Sequence, residues 1–298
     1  VTPQQFSADA FVDLEFRSIV AFDAQNAVVA TAGTPAKILK TMDGGGTWST
    51  VYSNDSANAF FDGMQFLDAE NGIAFSDPVD GKLLVVTTQD GGRRWVVVPK
   101  IELPTPRASE AGFAASNSSI CITEERVCIG TGGTDADTSR IYLAVRERTL
   151  GNRNWQTVPC PLPSSPTEGV FSIAYSAEQK LFLAAGGDYR PGERSRATMA
   201  ISRDQGQTWR LAKSMPELFQ SAVVAVQELE PSESTTIFVS TGQAASYGSL
   251  DGETWLPLPL AGFHALAVSP RFVYFAGSEG RVSRVAKPAL SEMFENQP

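Results

Sequence analysis

Short apolar bursts of strand length alternate with polar, glycine-rich turns along most of this chain, and two kinds of burst return in a fixed order. The first occupies residues 19–22, 64–66, 113–115, 171–175, 223–226 and 265–268. The second follows at 28–33, 72–77, 127–132, 181–186, 237–242 and 272–277, each copy running from bulky residues to a small one: Gly33, Asp77, Gly132, Gly186, Gly242 or Gly277. Runs of this length bounded by turn residues predict strands. Small residues fit where strands converge and backbones approach closely. Six cycles of strands are therefore expected.

A third feature closes the first five cycles. All five tryptophans lie in one recurring context, Thr41-Met-Asp-Gly-Gly-Gly-Thr-Trp48 being the first copy, at intervals of 47, 60, 54 and 46 residues. Asp43, Asp90, Asp204 and Asp251 can accept hydrogen bonds from the amides of their own turn, and the glycines allow the positive φ of a tight connection. Trp48, Trp95, Trp209 and Trp255 then open the next strand and are expected to wedge between adjacent sheets. The third copy, ending at Trp155, has Leu150 where the aspartate belongs, and the fifth is one residue short, so both turns are expected to be looser or differently shaped.

Periods of this size with several strands per unit mark a radial array of small sheets, none able to bury its faces alone. The expected fold is all-β: a β-propeller of six four-stranded blades in one domain, residues 1–286. The sixth cycle stops near Val285 with three strands and no tryptophan turn. Its outer strand is expected from the N-terminus, around Val1 to Phe6, which would leave no free sheet edge. Residues 287–298 are expected to be a tail on the surface.

Composition narrows the functions. With 298 residues, 42% of them hydrophobic, the chain can build a sizeable core. Its 33 acidic against 24 basic residues, a net charge of −9, argue against a sequence-independent grip on nucleic acid or an anionic membrane. No apolar run is long enough for a membrane-spanning helix. The chain begins at Val1, and removal of an upstream piece, with export to a periplasmic, lumenal or extracellular space, is the expectation. Cys121 and Cys128 flank a two-residue turn, Glu124-Glu125, that would set them opposite each other, either bridged or as buried thiols, with Cys160 free. A lone histidine, His264, excludes sites built from several imidazoles, and neither a metal nor a cofactor is expected. Gly130-Thr-Gly-Gly133 and Gly186-Gly187 lack the spacing of a dinucleotide loop.

Site candidates follow from topology. The tryptophan turns join third and fourth strands, so the opposite face collects the loops between second and third strands and the starts of the inner strands. Those starts are Arg17, Asp62, Glu110, Glu168, Gln220 and His264, expected to ring the channel mouth. Asp77, Arg140, Asp188, Tyr189 and Arg190 are placed beside them from the longer loops. Carboxylates beside arginines can orient a polar ligand, although propeller mouths are commonly polar and solvated without one.

Turns of the form Ser/Thr-x-Asp-x-Gly-x-x-Trp resemble the Asp-box, or bacterial neuraminidase repeat. Residues 15–19, 38–45, 76–81, 110–116, 130–133 and 186–189 are in addition similar to signature stretches of the photosystem II assembly and stability factor family and its bacterial relatives. The resemblance implies a propeller, usually seven-bladed, exported or facing a lumen, and serving in assembly or binding. By that pattern this chain lacks one N-terminal blade, which leaves six blades as the expectation and seven as the alternative. The functional expectation is a non-enzymatic scaffold that binds a protein or a polar small molecule at the channel mouth. The alternative is a sialidase-like glycoside hydrolase, with Arg17, Arg140 and Arg190 as a carboxylate clamp and Tyr189 with Glu193 or Asp188 as the nucleophile couple.

Overall fold

The computed structural model describes residues 14–145, 154–227 and 236–295. Their strands form six antiparallel sheets, each built from consecutive segments, and the inner strands contact one another in chain order. This is a six-bladed β-propeller. Blades I to V each have four strands; blade VI has three among the described residues. The N-terminal strand expected to complete blade VI falls outside the described residues, as does most of the third tryptophan turn.

The inner strands of blades I, II, IV, V and VI are Phe16–Ala21, Phe61–Phe66, Glu168–Ser176, Ala222–Gln227 and Ala265–Val268, where the first apolar column predicts them. Blade III differs. Its inner strand is Ile120–Ile122, not the expected 113–115. Ala111 pairs with Gly132 and Ile120 with Ile129, so the eight residues 112–119 stand opposite only Gly130 and Thr131. The excess loops out of the sheet into the channel.

The second column ends where backbones meet. A Cβ added to Gly186 would lie 1.9 Å from the Gly169 carbonyl oxygen, and one on Gly242 would lie 1.8 Å from that of Phe219. Only glycine fits such contacts.

The tryptophan turns work as the sequence suggests. In blade I the Asp43 carboxylate accepts from the Thr47 amide at 2.8 Å, the Thr47 hydroxyl at 2.7 Å and the Thr41 hydroxyl at 2.8 Å, while Thr41 Oγ accepts from the Gly45 amide at 2.9 Å. Asp90 and Asp204 repeat the pattern. The fifth copy, expected to differ, keeps the same bonds in its shorter loop: Asp251 accepts from the Glu253 and Thr254 amides at 2.8 Å each. The Thr47 amide and the two threonine hydroxyls hold the Asp43 carboxyl at about 2, below the usual carboxylate range.

Trp95, Trp155, Trp209 and Trp255 each lie in the apolar cluster between their own blade and the preceding one. Blade is thus stapled to blade at matching places.

Of the two arrangements expected for the cysteine pair, the second is present: Cys121 pairs with Cys128 across the hairpin, with both thiols free and buried. They stand two positions from the Thr123–Arg126 pair, where Thr123 N–H donates to Arg126 C=O, so theirs is a hydrogen-bonded register position. Side chains stand farther apart there than at the alternate positions, which disfavours a bridge. Burial pushes the Cys121 and Cys160 thiols up to about 12, and that of Cys128 well above its ordinary range. The tail is a correction. Lys287–Glu295 is an α-helix with Leu290 fully buried against blades V and VI. Pro288, at its start, suits a first helical turn, where no amide partner is lost.

Candidate functional site

The loop 112–119 divides the channel. Phe113, Ala114 and Ala115 floor a cup that opens on the face opposite the tryptophan turns, and Ser116, Asn117 and Ser118 roof a second cup that opens on the other face. The loop is bound to four other blades. Arg17 Nη1 of blade I donates to Ala114 O at 3.3 Å, and Asn117 Nδ2 donates to Ile19 O at 3.2 Å. Asn117 Oδ1 accepts from the Met64 amide of blade II at 2.8 Å. Ser118 O accepts from the Ile173 amide of blade IV at 2.7 Å. Ser116 Oγ donates to Ser221 O, at the start of blade V, at 2.8 Å. One proton per hydroxyl then orders a chain, Ser172 to Ser118 to Ser116 to Ser221 O, with oxygen separations of 2.7, 2.6 and 2.8 Å. Asn117 has φ +60°, a conformation that asparagine tolerates better than most residues.

The outer cup has a volume of about 800 Å³. Five aromatic side chains line it: Phe16, Phe113, Phe171, Phe219 and Tyr189. Phe113 and Phe171 stack with centroids 3.9 Å apart, and Phe219 and Tyr189 meet Phe171 edge-on at 4.6 and 6.1 Å. Arg17, Gln243, Ser221 and His264 supply the polar part of the lining. Arg17 donates to Glu15 at 2.6 Å and remains half exposed, and His264 Nε2 lies 3.3 Å from Ser278 Oγ.

Of the site residues expected from sequence, only Arg17, Tyr189 and His264 line this cup. Three of the six positions expected to ring the mouth are turned into the blades. Asp62 is 1% exposed, lies against Gly112, and its Oδ2 has no hydrogen-bond partner. Burial and then the neighbouring Asp77 hold its carboxyl well above the usual range. Asp77, itself raised by burial, accepts from the Gly112 amide at 2.8 Å and so pins the base of the channel loop. Glu110 is buried in a bidentate pair with Arg140 and accepts from Thr131 Oγ and the Arg107 amide at 2.6 Å each. Gln220 is 1% exposed and holds Ser240. Asp188 pairs with Arg190, whose side chain is largely exposed. The three arginines of the imagined sialidase clamp thus each have a separate carboxylate, and they do not meet.

The aromatic wall was missed. A phenylalanine recurs at or just before the start of the inner strands of five blades, at Phe16, Phe61, Phe171, Phe219 and Phe263, and Phe113 takes the corresponding place in the sequence of blade III. That column was the available signal. The loop had one too: the interval from Trp95 to Trp155 is the longest of the four, and it holds the run Ala-Ala-Ser-Asn-Ser-Ser, too small and polar for an inner strand.

Among the described residues no group of three His, Cys, Asp or Glu side chains is placed to hold a metal, and no helix is long and apolar enough to cross a membrane. The fold and cup together define the class, a propeller with one end of its channel closed into an aromatic bowl. No protein-family model and no curated protein matches the chain. Solved structures do. The chain is similar to YCF48 bound to D1 peptide, at 16% identity and a TM-score of 0.53 over 92% of this chain and 78% of that one. It is similar to YCF48 from Cyanidioschyzon merolae at 12% identity and a TM-score of 0.50, over 88% and 77% of the two chains. It is also similar to the GH74 xyloglucanase from Xanthomonas campestris at 16% identity and a TM-score of 0.52, over 90% of this chain but only 44% of the enzyme. At these identities the likeness is one of fold.

Proposed function

We propose that this protein is a non-catalytic binding platform of the photosystem II assembly-factor kind, built on Asp-box repeats, that takes a segment of a partner polypeptide into the aromatic cup. One observation carries the reading: a bowl of about 800 Å³ ringed by five aromatic side chains, with a half-exposed guanidinium and an imidazole at its edge. Buried aromatic anchors and arginine are what protein-binding hot spots are made of. A floor fixed by hydrogen bonds to four blades lowers the ordering cost of binding. A propeller of similar fold, YCF48, is known with a D1 peptide bound, which supports a polypeptide as the class of ligand. An apolar or aromatic side chain would fill the bowl while a peptide carbonyl or carboxylate meets Arg17. Location outside the cytosol belongs to the same proposal.

The test is selection of peptides from a displayed random library, followed by calorimetry on the winners. Binding should fall at least tenfold in Arg17→Glu and in Tyr189→Ala, both changes at exposed side chains. Selected peptides indifferent to both variants would refute the reading. Hydrolysis of a glycoside panel, with turnover lost in Arg17→Glu, would favour the glycosidase instead.

A further inference from the structure

The channel loop is anchored at its first residue by two carboxyls of blade II. Asp62 stands near the start of the inner strand, Phe61–Phe66, and Asp77 near the end of the neighbouring strand, Gly72–Val79. Asp77 Oδ1 accepts from the Gly112 amide at 2.8 Å, and the two carboxyls lie within hydrogen-bond reach of each other. Gly112 is wedged in place: a Cβ added there would lie 2.6 Å from Asp62 Oδ2 and 2.7 Å from the Phe75 ring. Asp62 therefore has no room to turn. Asp77 has, because it is half-buried and lines a surface groove. Phe113, the next residue along the loop, carries the constraint into the aromatic bowl through its stack on Phe171.

Two carboxylates are acceptors only, so a contact between them closes with a proton and opens without one. Asp62 Oδ2 is buried and has no other hydrogen-bond partner. The charge that acts on Asp62 is that of Asp77. Ser119 of the channel loop binds the Asp62 carbonyl, not its carboxyl. Arg107 and Glu110 share the groove with Asp77, but Arg107 donates to Thr138 O and Glu110 is paired with Arg140. We propose that Asp62 and Asp77 form a proton-controlled latch on the bowl. With a proton between them the loop is fixed and the floor is ready to bind. Without it, Asp77 swings into the groove, the Gly112 amide loses its acceptor and Phe113 leaves its stack. The inference rests on the reading of the bowl as a peptide site. Burial raises both carboxyls, and Asp77 raises Asp62 further, so the latch is closed in acid and opens as pH rises through the folded range of the pair. A bound peptide, reciprocally, holds the proton.

The test uses a library-selected peptide, capped at both ends and free of titratable side chains, in calorimetry from pH 5 to pH 8. Wild-type affinity should fall roughly tenfold over that range, the effect of a one-unit difference in pKa between the bound and free protein. Asp62→Asn and Asp77→Asn, each leaving one carboxylate beside an amide donor, should bind with the same affinity at both ends of the range. His264→Gln, at the edge of the bowl, should retain the wild-type slope. A second readout needs no peptide: protection of the Gly112 amide from hydrogen exchange, corrected for intrinsic base catalysis, should fall at least tenfold in the wild type and stay constant in Asp62→Asn. Falling protection without peptide binding would remove the peptide reading and keep the latch. Constant wild-type protection, a slope that survives both asparagine variants, or a slope lost only in His264→Gln would overturn the latch.

Discussion

Two kinds of loop hold this propeller together, and they do so in opposite ways. The tryptophan turns are local: an aspartate binds the amides and hydroxyls of its own few residues, and the device recurs around the ring. The channel loop occurs once, in blade III, and its Ala114 carbonyl and its Ser116 and Asn117 side chains are bound to other blades. The turn is therefore a building unit, and the loop is a hub. The difference teaches where singular features lie in a repeat protein: they interrupt one copy and answer to all the others.

The contrast predicts unequal mutational costs. Asn117→Ala would leave the Met64 amide and the Ile19 carbonyl without partners, and should cost about 2–3 kcal/mol in chemical denaturation. Asn117→Gly, which eases the positive φ, should recover only part of that loss. Asp204→Ala in a partly exposed turn should cost about 1 kcal/mol. Hydrogen exchange should show the Asp204 change confined to blade IV and the Asn117 change spread to blades I and II. A local footprint for Asn117 would collapse the distinction.

Titration sharpens it further. Asp62 has a raised folded-state pKa, so its contribution to stability is fully present below the ordinary carboxylate range and is lost as pH rises through the folded value. Asp62→Asn carries no proton to lose and keeps a donor for Asp77. The variant should gain stability over the wild type as pH increases from 4 to 8, measured by melting temperature. The turns run the other way. Asp43 is lowered to about 2, so its contribution is present above the ordinary range and is lost as pH falls through that value. Asp43→Asn should therefore narrow its deficit relative to wild type between pH 4 and pH 2, the smallest of these effects.

How much of this was legible in the sequence divides along the same line. Whatever repeats was readable: the strand columns, the wedged tryptophans, the glycines at Gly186 and Gly242 pressed against carbonyls, and the cross-strand register of Cys121 and Cys128. Periodicity reports what every blade needs. It misread residues 113–115 as a strand because Phe113 falls in the phenylalanine column, while the small polar run after it can reach its partners only across the channel. Asp62, Glu110 and Gln220 occupy equivalent positions to Arg17 and His264, but the channel loop and the Arg140 pair close over the first two, a tertiary outcome that no local spacing carries. The C-terminal helix had local signals, Pro288 at its start and Leu290, Met293 and Phe294 at helical spacing.

If the channel loop closes the channel as the geometry indicates, the proposed partner segment should engage only the aromatic bowl above the loop. The most direct measurement is a carbon-13 NMR titration, with a library-selected peptide, of protein labelled at aromatic rings and methyl groups. Shifts confined to Phe113, Phe171, Phe219 and Tyr189, with the Ile173, Val224 and Leu266 methyls unmoved beneath the loop, are the predicted result. Shifts centred on those methyls, or on the tryptophan turns, would contradict it.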